Sequence, residues 1–313
     1  MTEPRPYQHF GSYLNGLFGC RVQKISLDAG LTCPNRDGTK GTGGCIYCDE
    51  GGSGTGAYER IPSITQQMLQ GKSLLKKRYK AEKFIAYFQS FSNTYAPVDT
   101  LKSLYQEALS DIDVVGLSVG TRPDCVNPEI LDLLAGFQKT HLVWIEYGLQ
   151  SFHPRTLRMI NRGHTIEDFI RAVDETRKRN LNICVHVILG LPGEGLEECL
   201  LTAARLAELD IQGLKIHSLY INRGTLLETW YHQKKYRPLL QDEYVDWICQ
   251  FLELCPPHWI IQRLTGDPAP EKLIAPAWTL KKQTTLKMIQ DRLKRTGSFQ
   301  GARWKGRLVK GEA

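Results

Sequence analysis

Three cysteines close together in the sequence are the residues best suited to metal chemistry. Cys33, Cys45 and Cys48 are separated by eleven and by two residues, and the aromatic Tyr47 directly precedes the last of them. Structural zinc sites are closed by four protein ligands, and most cubane iron–sulfur clusters also take four cysteines. Three thiolates leave one metal position open, which is the arrangement that catalysis requires.

The loop that carries these cysteines is rich in glycine. Glycine at positions 38, 41, 43 and 44 allows it to fold tightly around a bound group, because glycine accepts backbone angles that other residues avoid. The preceding residues, 22–27, are predicted to form a strand. A second glycine-rich stretch, 51–56, lacks the Lys-Ser/Thr ending of a phosphate-binding P-loop. We predict that it forms a lid near the cysteines.

The segments that must position this loop alternate between strand and helix. Besides 22–27, strands are predicted at 84–88, 114–119, 142–147, 183–189 and 214–219. Helices are predicted between them at 63–78, 98–109, 128–137, 154–160, 165–179 and 196–209. Thr165 and Asp168 have the spacing of a capping box. Such alternation predicts parallel strands joined by right-handed crossovers.

Polar residues follow several of these strands, where parallel α/β barrels place their active sites. They include Ser90, Arg122, Glu146 and Gln150, whereas His186 and His217 lie in apolar strands and are predicted to belong to the core. Alone, Glu146 could cap a helix, and Arg122 could form a structural ion pair with Asp124. Six other cysteines show no second close pair and are predicted to be buried thiols. Cys125, near a strand end, is the one candidate among them for a catalytic role.

Composition and charge indicate an ordinary globular protein with a basic end. Hydrophobic residues make up 42% and charged residues 23% of the chain. The N-terminus has no apolar signal core, and the nine cysteines are an odd number, so we expect a cytoplasmic protein without disulfides or membrane spans.

The final segment, residues 281–313, contains ten Lys and Arg against two acidic residues, although the whole chain has a formal net charge of only +7. Basic residues with interleaved aromatics suit a phosphate backbone and an unstacked base. A solubilising tail is the alternative. The candidate RNA contacts are Lys281, Lys282, Arg303, Trp304, Lys305, Arg307 and Lys310.

The cysteine loop, CPNRDGTKGTGGCIYC, resembles the cluster loop of the radical S-adenosylmethionine (radical SAM) enzymes. Its long first gap departs from the common Cys-x3-Cys-x2-Cys and resembles the Elongator-catalytic-subunit-like branch, in particular its small bacterial YhcC/YtqA-type proteins. The resemblance continues through most of the chain, in GTRPDC (120–125), EYGLQS (146–151), INRGH (160–164), HVILGLPGE (186–194) and RLTGDP (263–268).

This resemblance implies a partial TIM barrel, (β/α)6, with an N-terminal extension over 1–20, a core over 21–240 and a basic C-terminal α/β extension over 241–313. It implies a [4Fe–4S] cluster held by Cys33, Cys45 and Cys48, with S-adenosylmethionine as cosubstrate. The implied cosubstrate contacts are Tyr47, Ser90, Arg122, Glu146, Gln150 and Arg162, with Leu191 packing on adenine.

The implied function is radical chemistry on transfer RNA, remodelling the C5 side chain of the wobble uridine, with a reductant such as flavodoxin or ferredoxin. A radical SAM enzyme acting on a small molecule or a protein is the first alternative. A zinc or iron–sulfur RNA-binding module without catalysis is the second, and an electron-transfer iron–sulfur protein is the third.

Overall fold

Seven parallel strands form one sheet in the computed structural model, which describes residues 6–52 and 63–306. Six of them follow one another in sheet order as in the sequence: β1 (Val22–Leu27), β2 (Lys83–Phe88), β3 (Val114–Thr121), β4 (Leu142–Gln150), β5 (Asn182–Leu189) and β6 (Gly213–Ser218). The short β7 (Ile221–Asn222) pairs antiparallel with β9 (Leu273–Ala275), and β8 (Ile260–Arg263) completes the main sheet beside β6.

One or two helices lie between consecutive strands from β1 to β6, as the sequence predicts, and further helices lie before and after this part of the chain. The helices are α1 (Phe10–Phe18), α2 (Ile64–Tyr79), α3 (Val98–Leu109), α4 (Pro128–Gln138), α5 (Pro154–Met159), α6 (Ile166–Arg177), α7 (Leu196–Ala207), α8 (Leu226–His232), α9 (Gln241–Leu254) and α10 (Lys282–Arg295). The predicted capping box is present: the Thr165 hydroxyl accepts from the Asp168 N–H, and the Asp168 carboxylate accepts from the Thr165 N–H.

The strands are buried on both faces, as parallel strands covered by crossover helices must be. Phe84, Ala86 and Phe88 of β2 face the layer of helices, whereas Ile85 faces the inside of the curled sheet. There α1 covers the amino ends of the strands, and Phe10 meets Trp144 edge to face at 6.0 Å. The predicted N-terminal extension therefore closes the end of the sheet opposite to the carboxyl ends of the strands.

The parallel α/β architecture predicted from the sequence is confirmed, and the sheet has one strand more than the six predicted for the core. β8 comes from the predicted C-terminal extension but pairs with β6 in the main sheet. The division of the chain at residue 241 stays a prediction. No helix among residues 6–52 and 63–306 is long and apolar enough to cross a membrane. Most of the predicted lid, together with Arg307 and Lys310, lies outside the described residues.

Candidate active site

A cavity of about 320 Å³ lies at the carboxyl ends of the parallel strands, where the fold predicts a site. Cys33, Cys45 and Cys48 all line it, and all three cysteines are free thiols. The opposite wall is formed by side chains of β5, β6 and β8. The cysteine loop is thus brought to the cavity because it directly follows β1.

The cysteine loop is tied to the segment between α5 and α6. The Asn35 side chain donates to the Asn161 carbonyl at 2.5 Å, and the Asn161 side chain donates back to the Gly44 carbonyl at 2.8 Å. The Ile46 N–H donates to the Ile160 carbonyl at 3.1 Å. A Cβ at Gly163 would stand 2.7 Å from the Asn35 side-chain oxygen, so glycine is needed for this close approach. The segment INRGH (160–164) therefore holds the cysteine loop in place through these contacts.

Two arginines stand beside the sulfur atoms. Arg162 Nη1 lies 3.6 Å from Cys45 Sγ, and Arg122 Nη1 lies 4.0 Å from Cys33 Sγ. Arg122 also donates to the Arg162 carbonyl at 2.7 Å and forms a buried ion pair with Asp124 at 2.9 Å. Burial opposes ionisation of Asp124, but Arg122 and then Lys40 lower the pKa of that carboxyl to about 2. Arg122 therefore forms the structural ion pair with Asp124 and also lines the cavity.

The three cysteines fit a multi-iron cluster better than a single metal ion. The thiolate is the form of cysteine that binds metal, and the two arginines place positive charge beside two of the three sulfur atoms. Ligand atoms around one zinc ion lie within about 4 Å of one another, given Zn–S bonds of about 2.3 Å. Among the described residues, the close group of three potential ligands is Glu146, Cys184 and His186, within 4.8 Å of one another, and the loop cysteines form no such group. The spacing of these sulfur atoms thus differs from that of a set of ligands to one metal ion.

Positive φ angles mark the rim beside the cysteines. Ser90 and Phe91 have φ of 79° and 55°, and Gln150 has φ of 79°. The Asn93 side chain holds the first turn by donating to the Ser90 carbonyl at 2.8 Å. Gln150 follows a register shift in the β4–β5 pairing, and such bulges re-aim side chains. Left-handed backbone at non-glycine residues costs energy and concentrates at functional sites, which agrees with the predicted contacts at Ser90 and Gln150.

The inner end of the cavity contains a buried network centred on Glu146. One carboxylate oxygen accepts from Lys24 Nζ at 2.5 Å and from the Ser118 hydroxyl; the other contacts His186 Nε2 at 2.7 Å and Lys215 Nζ. Burial alone would raise the pKa of Glu146, but Lys215 and Lys24 hold it well below its usual range. Burial lowers the pKa of Lys24 to about 8, although the negative charge of Glu146 acts to raise it.

Both strand histidines also line this end and are neutral at pH 7. Burial, followed by the charge of Lys215, lowers the pKa of His186 to about 4. Burial, followed by Arg263, lowers the pKa of His217 well below its usual value. The sequence predicts both as core residues, and it is wrong about their surroundings. The sequence does carry a signal for this end of the cavity, because a charged residue, Lys215, lies between apolar neighbours on the same strand as His217.

Six of the seven predicted cosubstrate contacts line the cavity: Tyr47, Ser90, Arg122, Glu146, Gln150 and Arg162. The predictions for Glu146 and Leu191 need correction. Glu146 lies in the middle of β4 instead of at its end, and its two oxygens are already used by cationic and hydroxyl partners. Leu191 is a core residue, 2% exposed, and Ile188 and Leu219 form the apolar cavity surface in its place.

The remaining predicted residues are distributed as follows. Cys125 is buried behind the rim beside Asp124. Burial, followed by the Asp124 carboxylate, raises the pKa of the Cys125 thiol to about 12, whereas a catalytic thiol is expected to have a lowered pKa.

In the tail, Lys282 pairs with Asp267 at 2.9 Å and Arg303 pairs with Glu253 at 3.4 Å. Trp304, predicted to stack on a base, instead packs against the core and meets His258 at 6.0 Å.

The sequence analysis missed Arg36 and Arg263 as cavity residues. Arg36 donates to the Cys48 carbonyl at 3.0 Å and so braces the loop from inside. Arg263 lies in the segment RLTGDP, which carried the resemblance, but no rule of residue spacing shows that β8 joins the same sheet.

Comparison with known proteins agrees with this geometry. Residues 36–206 match the Radical SAM superfamily, and residues 211–295 match the Radical_SAM C-terminal domain. The chain is 41% identical over 300 residues to the uncharacterized protein YtqA of Bacillus subtilis, covering 96% of this chain and 93% of that protein.

More distant similarities reach named enzymes. A tRNA uridine(34) acetyltransferase of Dehalococcoides mccartyi is 28% identical over 49% of this chain, which corresponds to 33% of that protein. Among solved structures, the archaeal Methanocaldococcus infernus Elp3 with an N-terminal deletion superposes with a TM-score of 0.67 at 15% identity, over 89% of this chain and 64% of that one. At that identity the superposition supports the shared fold.

Proposed function

The chain belongs to the radical SAM superfamily, whose enzymes use a [4Fe–4S] cluster and S-adenosylmethionine, and from that premise we propose that Cys33, Cys45 and Cys48 hold the cluster. When bound, the cluster and S-adenosylmethionine supply a 5′-deoxyadenosyl radical able to take hydrogen from an unactivated C–H bond. The observation that carries the assignment is the position of three free thiols on one cavity wall with Arg122 and Arg162 beside them.

The protein's own residues bind, orient and shield. Arg122 and Arg162 offset the negative charge of the thiolates, and Arg36 and Asn35 fix the loop backbone. Ser90 and Gln150 present polar atoms from strained backbone positions and are the proposed contacts of the methionyl and ribose groups. Ile188 and Leu219 offer apolar surface for adenine. Walls of this kind exclude water, which limits side reactions of a reactive intermediate.

We further propose that the substrate is a transfer RNA and that the reaction remodels the C5 side chain of the wobble uridine. Two observations support this choice: the similarity to a relative named for uridine 34 of tRNA, and the basic C-terminal segment. A flavodoxin or ferredoxin would supply the electron. A cytoplasmic location is part of the proposal, since all nine cysteines are free.

The experiment compares modified nucleosides in total tRNA from a strain with the gene deleted and from the same strain complemented. We expect one wobble-position nucleoside to disappear and a precursor to accumulate. The wild-type gene should restore the nucleoside, whereas Cys48→Ala should not. Identical nucleoside profiles in all strains would contradict the tRNA proposal and would favour a small-molecule or protein substrate for the same radical chemistry.

A further inference from the structure

The inner end of the cavity carries more positive than negative charge. Lys215 of β6 and Arg263 of β8 are register partners in adjacent strands, and both line the cavity. Glu146 is the carboxylate that pairs with Lys215 and with Lys24. The other acidic residue of the lining, Asp267, is exposed and pairs with Lys282 at 2.9 Å.

The charges at this end therefore do not balance. Glu146 offsets one of its two lysine partners, and the two neighbouring histidines are neutral at pH 7. Arg263 adds a further positive charge. Buried charges are ordinarily paired, because an unpaired charge in a poorly hydrated site is costly. A surplus of cations inside a cavity indicates that a ligand brings the missing anion.

Arg263 is the group with unused binding capacity. No hydrogen bond or ion pair joins its guanidinium to another side chain or carbonyl within residues 6–52 and 63–306, although it acts electrostatically on His217, His186 and Tyr87. A guanidinium offers five N–H donors in a planar fork that matches a carboxylate or a phosphate. The neighbouring Lys215 is fixed by Glu146 and by the Tyr87 ring, 4.1 Å from the ring centroid.

We propose that this end of the cavity is a subsite for an oxyanion of the substrate, a carboxylate or a phosphate, bound by Arg263 and Lys215. The inference rests on the proposed function, because it assigns a chemical feature to the substrate of that same site. Glu146 and Lys24 are positioning residues in this scheme: they hold Lys215 in place and prevent it from folding away from the cavity.

The carboxylate of S-adenosylmethionine is not the anion required here. In radical SAM enzymes that carboxylate is bound at the cluster, and the cysteine loop already has Arg36, Arg122 and Arg162 around it. Arg263 and Lys215 come from β8 and β6, at the other edge of the sheet from β1 and its loop. The two sets of cations are thus on different strands and can serve two different anions in one cavity.

The test uses the anaerobic holoenzyme with S-adenosylmethionine and two anticodon stem-loop RNAs. One RNA carries a 5-carboxymethyl group on the wobble uridine, and the other carries the neutral methyl ester of the same group. We expect the wild type to bind the acid about 10-fold or more tightly than the ester, as one charge-assisted hydrogen-bond pair provides. Arg263→Gln should bring the ratio close to one, and Arg263→Lys should keep part of the preference.

Arg171→Gln is the matched control, because Arg171 is an exposed arginine that pairs with Asp168 of the same helix, α6. It should keep the wild-type ratio. A wild-type ratio near one, or an unchanged ratio in Arg263→Gln, would overturn the subsite.

A second measurement separates this proposal from the tRNA proposal. Acetate and inorganic phosphate should each be tested for raising the melting temperature of the wild-type holoenzyme and of Arg263→Gln. Stabilisation of the wild type only, combined with no RNA binding, would retain the oxyanion subsite and contradict tRNA as the substrate. If both RNAs bind with equal affinity and neither anion stabilises the wild type, the result would contradict the oxyanion subsite and retain tRNA as the substrate. The stronger of the two anions indicates whether the site prefers a carboxylate or a phosphate.

Discussion

Gly44 shows how one residue can control the cysteine loop. Its φ of +75° lies in the region that favours glycine, and a Cβ there would stand 2.9 Å from Arg36 Nε. Arg36 is the side chain that braces the Cys48 carbonyl. A substitution at Gly44 would therefore disturb the backbone and the brace together.

We expect Gly44→Ala to lower the free energy of unfolding by about 1–3 kcal/mol, the usual cost of a non-glycine residue held in strained backbone, and to reduce the iron content after reconstitution. Gly38→Ala is the matched control, since Gly38 also has positive φ (91°) but open space around its Cβ. It should show the backbone cost alone and bind iron normally. Equal iron content in the two variants would contradict a specific role for the Arg36 contact.

At the scale of single residues, the sequence predicts correctly those site residues that are close to one another along the chain. The three cysteines and Tyr47 are neighbours in one loop, so their meeting at the cavity follows from the sequence. Leu191 and Glu146 depend instead on where a strand ends and which way each side chain points. Strand β4 continues to Gln150, three residues beyond the predicted end, and so places Glu146 inside the sheet. The backbone angle at Gln150 is a tertiary effect and has no local signature.

At the scale of elements, the contacts of the Glu146 carboxylate connect five strands. Lys24 of β1, Ser118 of β3, His186 of β5 and Lys215 of β6 all meet the carboxylate of one β4 residue. Lys24 Nζ also donates to the Gln262 side chain of β8 at 2.7 Å. The network thus joins both edges of the curled sheet through its interior.

Glu146→Gln should lower the free energy of unfolding by about 3–5 kcal/mol, because it leaves two buried lysines without their counter-charge. Chemical denaturation of the wild type and the variant measures this difference. Glu208→Gln, which removes an exposed ion pair with Arg205, is the control and should change stability by less than about 1 kcal/mol. A similar small effect for Glu146→Gln would mean that the network is not a structural unit.

The order and type of the elements follow from the sequence because apolar runs, glycine turns and caps are local. The predicted helix 98–109 and strand 22–27 have the observed bounds. The pairing of β8 with β6 could not be predicted, since α8, α9 and β7 separate the two strands and long-range pairing has no local pattern.

At the scale of the whole molecule, the basic C-terminal segment is only partly free to meet RNA. Lys282 and Arg303 are paired with carboxylates, and Trp304 packs on the protein. Lys281 and Lys305 are exposed and form no ion pair with the described part of the chain. If the segment binds RNA, these two lysines are its best phosphate contacts.

The double variant Lys281→Gln, Lys305→Gln should bind tRNA more weakly and reduce the slope of log affinity against log salt by roughly 0.7–0.9 for each phosphate group that the variant no longer binds. The control double variant Lys102→Gln, Lys139→Gln removes two exposed lysines of α3 and the end of α4. Its slope should match that of the wild type. Equal slopes of log affinity against log salt for all three proteins would mean that the C-terminal segment gives no support to the RNA proposal.

The most direct test of the cluster assignment is made on anaerobically reconstituted protein, in which iron, sulfide and 5′-deoxyadenosine are measured together. The wild type should contain about four irons and four sulfides per chain and should cleave S-adenosylmethionine when reduced. Cys33→Ala, Cys45→Ala and Cys48→Ala should each abolish cleavage, whereas Cys249→Ala, which alters a buried thiol of α9, should retain the cluster and the cleavage. Normal cleavage by Cys33→Ala, or zinc in place of iron in the wild type, would contradict the cluster assignment.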